Sequence, residues 1–371
     1  MAKDEQQEVD PKEYEVSRRR FLRMAGMTAG AIPFAGGLTG ILTERGASAQ
    51  TFHDEGHPLF ASHPKYQFTF VNHVTTDSFF VGCRYGIADA CNILGIPTAH
   101  WVGSTDSVVS EMVAAFDVAI DARVKGIACA LISPTAFNPL VDTALGLGIP
   151  VVSYNADEPT NNRMAYIGQS NTLAGAAAAE RIVKVVPKGG LVGMVIATPG
   201  AGDLQPRING ALPVLKAAGL QTQTVAGSAT GLLTEEIAKV EAWYIGHKHV
   251  KFLYGTGNVD GIGIATCISK YNLKGKVGGS AWDVSPNVLT AIKSGHLLFS
   301  IDQQSYMQGF IPTLQLFLYQ ISAGLMKPCD TDTGLGFITK SNVGPYTAHS
   351  ARWEGSSSKE TAYPPPSSIA V

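Results

Sequence analysis

The sequence predicts an α/β fold made of two doubly wound, parallel-sheet lobes. Three observations carry this. Apolar, β-rich runs alternate with stretches of helical period along almost the whole chain, and such alternation means parallel sheets with right-handed crossovers. The alternation yields about ten strands, too many for one comfortable sheet in this length, so they divide between two. The 371 residues are 45% hydrophobic and 16% charged, enough apolar content to bury two cores without a disulfide or metal staple.

The elements follow in order. Residues 67–72 (QFTFVN) form a β-rich run, and Phe80, Cys83, Ile87, Ala90, Cys91 and Leu94 recur at helical spacing up to Gly95, a plausible C-cap. A short strand over 98–102 precedes a helix over 108–123 with Met112, Ala115, Phe116 and Ala119 on one stripe. Residues 126–133 (GIACALIS) are continuously apolar, as in a strand buried on both faces. A helix over 136–147 and a strand over 150–155 complete the first half. The rhythm repeats with helices over 172–186, 204–218, 233–245, 259–271, 286–294 and 305–325. Between them lie strands over 190–198, 221–226, 250–256, 276–283 and 297–303. The helix over 204–218 reads as interrupted at Pro206 and Pro213.

Both ends fall outside this pattern. Ser17-Arg18-Arg19-Arg20-Phe21-Leu22 matches the twin-arginine export pattern; a weakly apolar, Gly-rich run over 24–42 follows, then Ala47-Ser48-Ala49 as a cleavage site. Five glycines and Pro33 within 24–40 make that run a poor membrane span. Residues 1–49 are therefore read as a signal peptide and 50–65 as a flexible lead-in. The Ser/Pro/Gly-rich stretch 347–371, with Tyr363-Pro364-Pro365-Pro366, reads as a flexible tail. The net charge of −2, from 28 basic and 30 acidic residues, argues against a nucleic-acid binder. Five Cys cannot all pair, and folding before export would let thiols be buried before they meet an oxidising compartment.

Familiar chemical motifs are missing. Gly255, Gly257 and Gly261 are spaced one residue too long for a dinucleotide fingerprint, and no acidic residue stands near the expected distance before Asp283. No P-loop and no G-x-S-x-G elbow occurs, no Cys pair has zinc spacing, and His247/His249 read as solvated residues at a helix end. No metal, no cofactor and no catalytic residue is expected. What remains is a set of polar and aromatic residues at strand C-termini, where open α/β sheets bind ligands. They are His73, Thr76, Asp77, Phe79 and Phe80, then Asn155 and Asp157, then Arg207, Asn258, Trp282 with Asp283, and Gln303. Carboxylates and amides can each hold paired hydroxyls, Arg offers a rigid donor fork, and aromatic faces cover sugar C–H surfaces. The competing reading is that such residues only cap helices.

From Lys65 to Tyr346 the chain resembles the periplasmic sugar-binding proteins of ABC transporters, the ribose-binding type, within the type I periplasmic binding proteins. The resemblance rests on Asp77-Ser78-Phe79-Phe80 after the first strand, Ile149-Pro150-Val151-Val152 leading to Asn155, Arg207 before Gly210, Trp282-Asp283 and Gln303. It implies two lobes, 66–169 plus 304–333 and 170–303 plus 334–346, joined by a three-crossover hinge. It implies that Trp282-Asp283 closes over the sugar and that Gln303 contacts it near the hinge. Asn155 and Ala156 stand where the family carries Asp and Arg, so the pocket is not a close copy of a ribose site. Asn155-Ala156-Asp157-Glu158-Pro159 is also similar to the branch that binds rhamnose or furanosyl signals.

The function expected is capture of a sugar, polyol or related small molecule in the periplasm by a monomer, and delivery to an ABC permease in the membrane. A sensory protein presenting its ligand to a receptor, or an exported cofactor enzyme, are the alternatives. A repressor is disfavoured, because the N-terminus is an export pattern and not a DNA-binding helix pair.

Overall fold

The computed structural model describes residues 62–228, 232–348 and 350–360. Residues 1–61, which include the stretch read as a signal peptide and most of that read as a lead-in, and residues 361–371 lie outside the described residues. In lobe one, β1 (Phe68–Asn72), β2 (His100–Gly103), β3 (Gly126–Cys129), β4 (Val151–Tyr154) and β5 (Tyr166–Gly168) alternate with α1 (Phe80–Ile93), α2 (Val109–Asp121) and α3 (Asn138–Gly146). In lobe two, α4 (Asn171–Val183) leads into β6 (Leu191–Ile196), α5 (Gln205–Ala217), β7 (Gln221–Ala226) and α6 (Leu233–Gly246). Then come β8 (Phe252–Gly255), α7 (Asn258–Lys270), β9 (Gly278–Trp282), α8 (Pro286–Ser294) and β10 (Phe299–Asp302). The chain returns to lobe one with α9 (Ser305–Ile321) and β11 (Thr331–Asp332), and ends in lobe two with β12 (Gly336–Thr339) and α10 (Gly344–Ala348).

Each lobe holds one six-stranded sheet, ordered β11-β5-β4-β3-β1-β2 and β12-β10-β9-β8-β6-β7. All pairings are parallel except β10 with β12. In both sheets the strand order reverses beside the first strand, β1 or β6, which is where a doubly wound sheet opens its crevice. The central strands are buried throughout: β1, β3, β4, β6 and β8 have no exposed residue. Phe68, Phe70, Phe116, Phe137 and Phe317 fill lobe one. Two further cores cover the faces of the second sheet, one around Val195, Leu253 and Ile292, the other around Met194, Tyr254 and Trp282. Burying each such side chain is worth about 1.5–3 kcal/mol.

The chain passes between the sheets at 169–170, 303–304 and 333–335. Three sequence readings need correction. Pro213 does not interrupt α5: it and Asn209, whose carbonyl loses its helical donor, are both exposed, so that carbonyl is open to water; Pro206 sits in the first turn, where no amide donor is required. β5, β11 and β12 were not foreseen; β5 and β11, of three and two residues, are too short for an alternation to show. Residues 350–360 are no flexible tail: Ala351 is fully buried, and a 3₁₀ turn at Arg352–Glu354 packs on lobe one through an ion pair between Arg352 and Asp89 of α1. Cys83, Cys91, Cys129 and Cys267 are buried free thiols, and Cys329 is exposed.

Candidate functional site

The strand C-termini of both sheets face one cleft of about 640 Å³. Lobe one contributes His73, Thr76, Asp77, Phe79, Phe80 and Asn155 to it; lobe two contributes Arg207, Asn258 and Asp283, with Gln303 at the crossover. Asn155 and Asp283 each follow a central strand and each take a left-handed backbone, φ 63° and φ 76°. Non-glycine residues rarely hold that conformation unless the surroundings fix it, and such strain gathers at binding sites.

Arg207 organises the second wall. It is 1% exposed. Its Nε donates to Asn171 Oδ1 at 2.9 Å, Nη1 to the Thr256 carbonyl at 2.6 Å and Nη2 to Gln303 Oε1 at 3.3 Å. The Trp282 ring lies 4.7 Å from its guanidinium carbon. Gln303 uses its other end to donate to Asp283 Oδ1 at 2.6 Å. Burial pushes the Asp283 carboxyl up to about 7, although Arg207 and the Gln303 bond pull it back. On the opposite wall Asn155 Nδ2 donates to Gln308 Oε1 of α9 at 3.2 Å, and Gln308 donates in turn to the Gln303 carbonyl at 2.9 Å. This leaves Asn155 Oδ1, and likewise His73 Nδ1, buried without a hydrogen-bond partner among the described residues. His73 sits edge-on to Phe80 at 5.4 Å, and burial lowers its pKa, which holds the imidazole neutral.

Two expected residues are elsewhere. Trp282 does not close over the cleft: it is fully buried behind Arg207, where its indole N–H donates to Gln169 Oε1 at 2.9 Å. Successive strand residues point to opposite faces, so Asp283 reaches the crevice and its neighbour Trp282 reaches the core. Asp157 is ion-paired with Arg163 and accepts from Ser153 Oγ at 2.6 Å, in a separate hollow on the hinge side. Local hydrogen bonds occupy one oxygen of each of two others. Asp77 Oδ1 accepts the Phe79 amide at 2.9 Å, and Asn258 Oδ1 accepts from Ser285 Oγ at 2.6 Å.

The cleft also contains groups the sequence did not single out. Asp106, Asp203 and Asp260 line it, with Ser107, Ser133 and Thr198. Burial, and next the neighbouring Glu236, raise the Asp260 carboxyl, and burial likewise raises Glu236. The lobes touch where the β6–α5 loop meets lobe one: a Cβ on Gly202 would lie 2.9 Å from the Asp157 carbonyl oxygen and 3.0 Å from that of Leu131. Only glycine allows this approach. Gly202→Val is expected to prop the seam open and weaken ligand binding roughly tenfold, about 1.4 kcal/mol, while the melting temperature of the ligand-free protein stays close to wild type. Unchanged affinity on titration would show that the seam is not part of closure.

A periplasmic binding protein domain is matched by residues 68–320. The chain belongs to this family. It is 39% identical over 321 residues to the xylose/arabinose-binding protein XylF of Sulfolobus acidocaldarius, a match spanning 82% of this chain and 78% of that one. An ABC transporter solute-binding protein from Burkholderia graminis, solved in complex with D-arabinose, superposes with a TM-score of 0.70 at 27% identity, covering 76% of this chain and 98% of the other. A second, from Agrobacterium vitis with bound D-fucose, gives a TM-score of 0.71 at 22% identity over 75% and 96% of the two chains, and speaks for the fold alone. In this family of binding proteins, two α/β lobes around one cleft are the shared architecture.

Proposed function

We propose that this protein captures a small neutral sugar, of the pentose or deoxyhexose class, between its lobes and delivers it to the permease of an ABC transporter. One observation carries the reading: both lobes direct hydroxyl-binding groups into a single cleft, and two of those groups, His73 Nδ1 and Asn155 Oδ1, are buried without hydrogen-bond partners among the described residues. A buried polar atom left unpaired costs about 1–3 kcal/mol, which a ligand hydroxyl would recover. The charge balance favours a neutral ligand. Asp77, Asp106, Asp203 and Asp283 line the cleft against Arg207, so a sugar acid or sugar phosphate would meet repulsion. The relative's xylose/arabinose binding and the D-arabinose complex of the structural neighbour agree in class.

Capture follows from geometry. Ligand contacts to both walls exist together only when the lobes are closed, and that differential affinity draws the population shut. Export by the twin-arginine route and action as a monomer belong to the same proposal. Titration calorimetry with D-xylose, L-arabinose, D-arabinose, D-fucose, L-rhamnose, D-ribose, xylitol and D-xylonate tests it. Saturable binding of at least one neutral sugar, with none of D-xylonate, is expected; binding of the acid alone, or of no compound, overturns the reading.

A further inference from the structure

The hinge has more than three strands of chain. After β12, the chain stays anchored on lobe two: Val343 is buried in that lobe's core, and the Tyr346 hydroxyl donates to Asp302 Oδ2 at 3.3 Å. It is anchored again, on lobe one, at Ala351, which is fully buried. Three peptide steps separate Ala348, the end of α10, from Ala351, and they span at most about 11 Å. This is a fourth connection between the lobes.

Its docking on lobe one is specific. Arg352 is ion-paired with Asp89, both largely buried, and its guanidinium carbon lies 4.9 Å from the centre of the Tyr85 ring. Trp353 meets Tyr306 edge-on at 5.1 Å, and the Tyr306 hydroxyl donates to the same Asp89 at 2.8 Å. Gly355 turns with φ 73°, and a Cβ there would stand 2.7 Å from the Gly82 amide nitrogen, so the two backbones are in direct contact. Ser305 and Tyr306 open α9, immediately after the crossing at 303–304. The segment thus rests on the first turn after a hinge strand. Burial, and next the carboxylate of Asp302, the last residue before that crossing, push Glu354 up to about 7.

We propose that residues 350–360 form a tether that limits how far the two lobes open, by fastening the lobe-two exit of the chain to α1 and α9 beside the hinge. The proposal rests on a cleft that opens and closes, and not on which ligand fills it. A tether of this length has little slack, so opening must stretch or undock it.

The test uses the ligand-free full chain. Spin labels at Asp117→Cys on α2 and Ala242→Cys on α6, exposed positions on opposite lobes, are introduced with Cys329→Ser, which removes the exposed native thiol. Pulsed dipolar spectroscopy then reads the interlobe distance. In Arg352→Ala/Trp353→Ala, and in a chain ending at Ser350, the distance distribution is expected to extend several ångströms beyond that of the parent. Distributions that superimpose on the parent overturn the tether. If these changes unfold lobe one, visible as a lost far-ultraviolet dichroism signal, Trp353→Ala alone and Gly355→Ala give the same readout. A segment that merely stabilised lobe one would lower the melting temperature and leave the distances unmoved. Sugar titration is a separate measurement, so a failure of the ligand reading leaves this result interpretable.

Discussion

Arg207→Ala is expected to abolish ligand binding, by more than 100-fold in Kd, and to destabilise lobe two by about 3–5 kcal/mol. The guanidinium is held on three sides by Asn171, Thr256 and Gln303 and lies against the Trp282 ring. Removing it leaves three buried acceptors without that donor, opens a void beside the indole and takes the neighbouring positive charge from Asp283. The binding loss has two sources: the wall loses its fork of donors, and Gln303 Oε1 loses one of the two donors, Arg207 and Gln308, that orient its amide toward Asp283. Because a destabilised lobe could weaken binding indirectly, Arg207→Lys is the sharper comparison. It keeps the charge but cannot reproduce the fork. It should retain most of the stability measured by urea unfolding while losing at least tenfold in affinity by calorimetry. Affinity within threefold of wild type in both variants would remove Arg207 from the site and the cleft from consideration.

Much of this arrangement was written in the local sequence. Strand–helix alternation is a short-range signal, and it located both sheets because β1, β3, β6 and β8 are short apolar runs bounded by turns. Following each strand to its C-terminus then led to Asn155, Asp283 and Gln303, since a doubly wound sheet presents those ends to one crevice. The misplacements have equally physical causes. Trp282 was grouped with Asp283 although neighbours on a strand face opposite ways. Asp157 was claimed by Arg163, a partner that spacing alone does not reveal. Gln308 holds Asn155 across a separation of 153 residues, and Gln169 holds Trp282 across 113; only the fold brings them together. The Gly- and Ser-rich composition after Tyr346 suggested a tail, whereas Gly355 and Ser356 serve a tight turn, with the Ser356 amide donating to the Ala351 carbonyl at 3.2 Å.

Asp283 should give the protein two opposite pH dependences. Its carboxyl is raised to about 7 in the folded protein, chiefly by burial, and returns to about 3.9 when the chain unfolds. Between these values the folded state holds a proton that the unfolded chain has released. Its contribution to stability is therefore full below about pH 4 and is lost as the pH rises through about 7, a change on the order of a few kcal/mol. Burial also raises Asp260, Glu236, Asp302 and Glu354, so the overall slope is shared. The difference between wild type and Asp283→Asn isolates this one group: the variant should lose less stability than wild type between pH 5 and 8 in urea unfolding. Ligand binding runs the other way. A sugar hydroxyl donates best to the ionised carboxylate, so binding pulls the proton off, and affinity should rise from pH 6 to 8. Calorimetry near pH 6.5 in phosphate and in imidazole buffers, whose ionisation enthalpies differ, should show net proton release for wild type and none for Asp283→Asn. Equal heats in the two buffers for wild type, or a pH–affinity slope that survives in Asp283→Asn, would mean that Asp283 does not meet the ligand as a carboxylate. The same carboxyl that makes the empty cleft less stable as pH rises would then have to be explained by the protein's interior alone.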